Sequence, residues 1–157
     1  MKIIAMIPAR LGSQRLKQKN LQKLRGISLI TRAIRKTRDA NVFDEIWVNA
    51  DHPQFKSIAR RERVNFHQRP EKLAGDTATS EEYVYEFLKC HSCDYIVQIH
   101  TIAPLLPSKS IVDFVRMLKD GQFDVLLSVV NEQIECIYDG KPVNFSFWKK
   151  SNSQQLM

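Results

Sequence analysis

Short apolar runs alternate with stretches whose apolar positions recur at helical spacing. Lys2-Ile-Ile-Ala-Met-Ile7 is a continuous apolar segment of strand length, as expected for a strand buried on both faces. Pro8 is expected to end it, because proline has no N–H for a sheet ladder. Glu45–Ala50, Val64–His67, Asp94–His100 and Phe123–Val130 read as four further strands. Between them, Leu29, Ile30, Ala33, Ile34 and Thr37 repeat at helical spacing behind a Ser28 N-cap. Arg32, Arg35, Lys36 and Arg38 fall on the opposite, solvated face. A second helix is expected over 54–63, entered through Asp51-His52-Pro53. Asp51 could cap this helix or contact a ligand, and His52 reads as a plain loop residue. Thr79 and Glu82 form a capping box before a stripe of Tyr83, Val84, Phe87 and Leu88. Ser110 and Asp113 form another, before Ile111, Val115 and Leu118, with Gly121 as terminator. Ile134–Tyr138, the turn Asp139-Gly140 and Pro142–Trp148 suggest a hairpin, and 149–157 a polar tail. The alternation predicts an α/β fold over 1–148, a mostly parallel sheet with helices on both faces.

Candidate chemistry concentrates where the first strand ends. Pro8–Asn20 carries Arg10, Arg15, Lys17 and Lys19 with no acidic residue. Gly12 and Ser13 let backbone N–H groups approach a ligand. A cationic, small-residue loop at the C-terminal end of a central strand is where an open α/β sheet binds a polyanion. A solvated basic loop would contain the same residues.

Ile7-Pro-Ala-Arg-Leu-Gly-Ser-Gln-Arg-Leu-Lys-Gln-Lys-Asn-Leu21 resembles the first motif of the sugar-acid cytidylyltransferases, the CMP-N-acylneuraminate synthetases and their CMP-Kdo relatives. Arg69-Pro70 followed by Leu-Ala-Gly-Asp-Thr-Ala78 resembles the family's second region, which wraps the cytosine and ribose. Gln98, Thr101, Pro104 and Leu105 fit a Leu-Gln-x-Thr-x-Pro-Leu pattern, and Asp124 through Val129 resembles an Asp-x-x-x-Ser-Val segment. The resemblance implies a Rossmann-like nucleotidyltransferase that attacks the α-phosphate of CTP with the anomeric hydroxyl of a 2-keto sugar acid of sialic (nonulosonic) type. It implies that Arg10, Arg15 and Lys19 hold the triphosphate, with Ala9, Gly12 and Ser13 alongside. By the same match Asn20, Arg69, Ala78, Ser80, Gln98 and Thr101 hold the nucleotide, and Asp76 orders its loop. Gln14 stands where many relatives carry lysine, a role Arg15 would take over. The family also implies Mg²⁺, a dimerisation arm and an Asp-x-Asp metal pair beyond the point where this sequence stops, at Gln154-Gln-Leu156. No metal ligand is therefore expected in this chain, and self-association is.

Composition narrows the rest. The 157 residues carry 24 basic and 17 acidic side chains, a net charge of +7. This favours an anionic partner without choosing among nucleotide, nucleic acid and membrane. No run reaches transmembrane length, so a cytoplasmic protein with no membrane partner is expected. The basic residues are spread over helices without interleaved aromatics, which ranks a nucleic-acid binder last. Cys90-His-Ser-Cys93 follows a helix and precedes a strand, without a second ligand pair, so reduced, unligated thiols are expected. Two readings remain beside that binder: an active cytidylyltransferase, and a catalytically inactive nucleotide-binding remnant or partner subunit.

Overall fold

The computed structural model describes residues 1–14, 16–121, 123–130, 132 and 134–148. The chain divides into two compact units, Met1–Gln122 and Phe123–Met157. The expected polar tail, 149–157, lies outside the described residues.

The first unit is built on a four-stranded parallel sheet. Its strands are β1 (Ile3–Ala9), β4 (Glu45–Ala50), β5 (Asn65–Gln68) and β6 (Tyr95–Gln98), in the order β5-β4-β1-β6. Two short strands, β2 (Lys23–Leu24) and β3 (Ile27–Ser28), pair as a hairpin that the sequence shows only as a turn. Arg25 and Gly26 make that turn with φ of 50° and 78°. The helices are α1 (Leu29–Ala40), α2 (Pro53–Arg61), α3 (Ser80–Cys90) and α4 (Ser108–Asp120). The chain winds outward from β1 through β4 to β5, then crosses back to β6. The strand order therefore reverses between β1 and β6, the place where such sheets open a crevice beyond their C-terminal ends.

Alternation along β1 explains the two-sided core. Ile4 and Met6 are fully buried against Tyr83 and Phe87 of α3. Ile3, Ala5 and Ile7 take the other face, which α1 covers with Ile30, Ala33 and Ile34, and α4 packs beside α1. Helices lie on both faces, as the pattern predicts.

Several local expectations need correction. β1 runs through Pro8 to Ala9. Met6 turns its carbonyl to Ile99 N–H on the β6 side, so Pro8, two residues on, turns its nitrogen the same way. The β6 register ends at Met6–Gln98, so the missing N–H costs no ladder bond. His52, not Asp51, caps α2, its Nδ1 accepting from Gln54 N–H at 3.2 Å. α4 begins at Ser108 behind Pro107 without a side-chain cap, two residues before the expected capping box. Lys36 is buried and donates to the Ala103 carbonyl, away from the solvated face assigned to it. The Ser28 cap and the Thr79–Glu82 capping box form as expected.

In the second unit, β7 (Ile137–Tyr138) and β8 (Lys141–Pro142) form the expected hairpin, shorter than its pattern. Asp139 and Gly140 turn it with φ of 48° and 70°. Phe123–Val130 is not a strand: its described residues are irregular and Val125, Leu127 and Val129 are exposed. An apolar run of strand length becomes a strand only where a ladder partner exists, and none is present among the described residues.

Candidate functional site

The loops leaving β1, β5 and β6 surround one pocket of about 280 Å³ at the strand-order reversal. β1 supplies Ala9 and its following loop Arg10, Ser13, Lys19 and Asn20. Arg69, Asp76 and Ala78 enter from the segment between β5 and α3, Ser80 from the first turn of α3, and His100 and Thr101 from just beyond β6. An adjoining opening of about 310 Å³ is lined by Gly12 and Gln14 and shares Arg10, Ser13, Gly75 and Asp76 with it. The first volume suits a nucleoside, near the lower end of small-molecule sites at about 300 Å³. The shared wall gives a phosphate chain room to continue.

Asn20 holds the two sides of the pocket together. It is buried, donates Nδ2–H to the Arg10 carbonyl at 2.9 Å, and accepts from Thr101 Oγ1 at 2.7 Å. This bond joins the β1 loop to the end of β6. Asp51 accepts from Leu11 N–H at 3.1 Å and fixes the start of the same loop. Lys36 anchors the chain after Thr101 from below through Ala103, and burial lowers its pKa.

Arg69 is only 4% exposed. Its Nε–H donates to Asn49 Oδ1 at 2.7 Å and its NH2 group to the Asn49 carbonyl at 2.8 Å. The guanidinium carbon sits 4.2 Å from the centre of the Tyr83 ring. Desolvation holds its pKa below the usual arginine value. Among the described residues no carboxylate lies within ion-pair distance of it. A guanidinium has five donors, so some remain for an acceptor in the pocket. Arg10, in contrast, is paired: 2.7 Å from Asp76 Oδ1, and donating to the Ala74 carbonyl at 3.3 Å. Their side chains are 33% and 50% exposed, so the pair contributes at most about 1 kcal/mol and a polyphosphate can displace it. Gln14 also donates to Asp76, which orders its loop as expected.

Of the residues singled out in the sequence, Ala9, Arg10, Ser13, Lys19, Asn20, Arg69, Ala78, Ser80 and Thr101 meet at the first pocket, and Gly12 lies at its neighbour. Arg15 lies outside the described residues. Gln98 does not line the pocket: its Oε1 accepts from Tyr83 O–H at 3.3 Å, behind the wall. Two residues on, where an extended chain returns to the same side, His100 reaches the lining instead. Partial burial, then the Lys19 charge, pulls the His100 imidazole below its usual range. Tyr83 was legible only as a core stripe, yet its hydroxyl faces the pocket wall, 3.0 Å from Ser80 Oγ.

The sequence matches the family described as cytidylyltransferase over residues 4–152. The chain belongs to the cytidylyltransferase family. It is 33% identical over 129 residues to N-acylneuraminate cytidylyltransferase A of Danio rerio, covering 82% of this chain and 30% of that protein. It is 28% identical over 141 residues to the 3-deoxy-manno-octulosonate cytidylyltransferase of Rickettsia akari, covering 86% and 54%. Among solved structures it resembles a CMP:2-keto-3-deoxy-manno-octonic acid synthetase complexed with CTP. That match has a TM-score of 0.68 at 19% identity and covers 76% of this chain and 48% of the other. The fold is the Rossmann-like fold of these cytidylyltransferases. The chain spans about a third of the length of the N-acylneuraminate relatives it matches.

Among the described residues no three His, Cys, Asp or Glu side chains converge where they could hold a metal ion. At the pocket, Asp76 is taken by Arg10 and Asp51 by Leu11. Among the described residues these side chains do not make a divalent-cation site. Cys90 ends α3, Cys93 precedes β6, and both thiols are free.

Proposed function

We propose that this chain binds CTP at the β1–β6 crevice as the nucleotide-binding portion of a cytidylyltransferase acting in the cytoplasm. It would serve transfer of CMP to the anomeric hydroxyl of a 2-keto sugar acid of sialic type. One observation carries the reading: Arg10 and Lys19 after β1, and Arg69 and Ser80 between β5 and the first turn of α3, share one pocket at the strand-order reversal. Arg69, a buried cation without a carboxylate partner among the described residues, takes an acceptor from the nucleoside. Lys19, Ser13 and a released Arg10 take the phosphates, with Arg15 as a further cation for them. In the reaction a bond forms between the sugar hydroxyl oxygen and the α-phosphorus while the bond to the bridging oxygen breaks. Pyrophosphate leaves and the hydroxyl proton passes to water. Cations on the β- and γ-phosphates stabilise the leaving charge. The reading includes self-association, supported by the exposed Ile102, Leu105 and Leu106 beside the pocket; a single 18.3 kDa species in sedimentation would oppose it.

The second reading, a nucleotide-binding partner subunit without turnover, is favoured by the lack of a converging metal-ligand set among the described residues. Pyrophosphate release with CTP, Mg²⁺ and either N-acylneuraminate or 3-deoxy-manno-octulosonate decides between them. Release with one acid supports the enzyme. CTP binding without release supports the partner subunit. Absence of CTP binding rejects both.

A further inference from the structure

Tyr83 stands between two groups assigned to the nucleotide. Its hydroxyl lies 3.0 Å from Ser80 Oγ and 3.3 Å from Gln98 Oε1. A phenol has one proton, and an amide oxygen can only accept. The Tyr83 proton therefore goes to Gln98 Oε1, and the Tyr83 oxygen accepts from Ser80 Oγ–H. Ser80 lines the pocket with its proton already engaged, so it offers the pocket only lone pairs. The face of the same ring supports the Arg69 guanidinium at 4.2 Å. Tyr83 itself is 9% exposed and packed against Ile4, Met6 and Phe87, so its orientation is fixed by the core.

We propose that Tyr83 is a positioning residue for base selection, which fixes Ser80 as an acceptor toward the pocket and so favours the exocyclic amino group of cytosine over the carbonyl oxygen of uracil. The inference rests on the nucleotide reading above. An acceptor aimed at uracil O4 meets a second acceptor, and a site set to accept from an amino group discriminates against an analogue that has none to give.

Tyr83→Phe tests it, because the ring stays under Arg69 while the hydroxyl is lost. Ser80 can then rotate its proton toward the pocket and donate. By calorimetry with CTP and UTP, the CTP-to-UTP affinity ratio is expected to fall by about tenfold or more. Ser80→Ala should lower the ratio similarly, and Ser80→Ala with Tyr83→Phe should lower it no further than Ser80→Ala alone. Tyr83→Leu, which also removes the ring, should weaken both nucleotides. A Tyr83→Phe protein that melts lower but keeps the wild-type ratio would reduce the residue to core packing and overturn the inference. Additive losses in the double variant would overturn it too. Wild-type protein that binds neither nucleotide would instead reject the functional reading itself, a result distinct from either.

Discussion

Arg10 is the side chain on which the phosphate reading leans most. It is partly exposed and held by an exposed carboxylate and one long bond to the Ala74 carbonyl, so it is free to exchange partners. Arg10→Ala is expected to weaken CTP binding by about 1.5–3 kcal/mol, the range for a hydrogen bond to a charged group. Unchanged affinity in a titration would remove Arg10 from the site. Asn20 has the opposite character. It is 5% exposed and already bonded on both sides, so it braces the crevice wall at the β1–β6 junction. Asn20→Ala and Thr101→Val should each destabilise the fold by about 1–3 kcal/mol, and the double variant by much less than the sum. Additive melting-temperature losses would show that the bond between them is unimportant. The sequence pattern singled out both residues but could not distinguish a ligand contact from a strut. It likewise placed Gln98 in the site, although His100, two residues on and on the same side of the chain, reaches the pocket while Gln98 stops at the Tyr83 hydroxyl behind it.

Among the elements, those defined by local chemistry were the most legible. The capping box at α3 needs only residues three apart, and it forms: Thr79 Oγ1 accepts from Glu82 N–H at 3.3 Å and Glu82 Oε2 from Thr79 N–H at 2.8 Å. Since α3 brings Ser80 and Tyr83 to the pocket in its first turn, the cap supports the site directly. Thr79→Ala should cost about 0.5–2 kcal/mol and lower the melting temperature by a few degrees. No change would mean that packing at Phe87 alone holds the helix. Elements that depend on distant partners were less legible. Phe123–Val130 has a strand's length and apolar content but no ladder among the described residues. Lys36 has a surface residue's chemistry but bonds a carbonyl 67 positions away. Neither fact can be read from spacing, because each is decided by what folds against the segment.

For the whole molecule, charge and burial set the response to pH. His91 is half-buried and lies 3.0 Å from His67, and His100, though exposed, is partly desolvated and lies near Lys19; both imidazoles are pulled below the usual 6.5, His100 against solvent screening. The folded protein then binds fewer protons than the unfolded chain as pH drops below about 6.5, so stability must fall with pH in that window. Denaturant unfolding between pH 7 and 5 should show this decline, reduced in His91→Gln or His100→Gln. A flat profile would show both rings titrating normally. The parallel sheet, by contrast, is expected from the alternation of strands and helices, and its observed order β5-β4-β1-β6 places the crevice before any side chain is considered. What that crevice holds is best tested by calorimetric titration of the wild-type chain with CTP and with cytidine. CTP should bind at least about 100-fold more tightly, as expected if two or more charge-assisted contacts grip its phosphates. Equal affinities, or no heat with CTP, would contradict the claim that these loops form a cytidine triphosphate site.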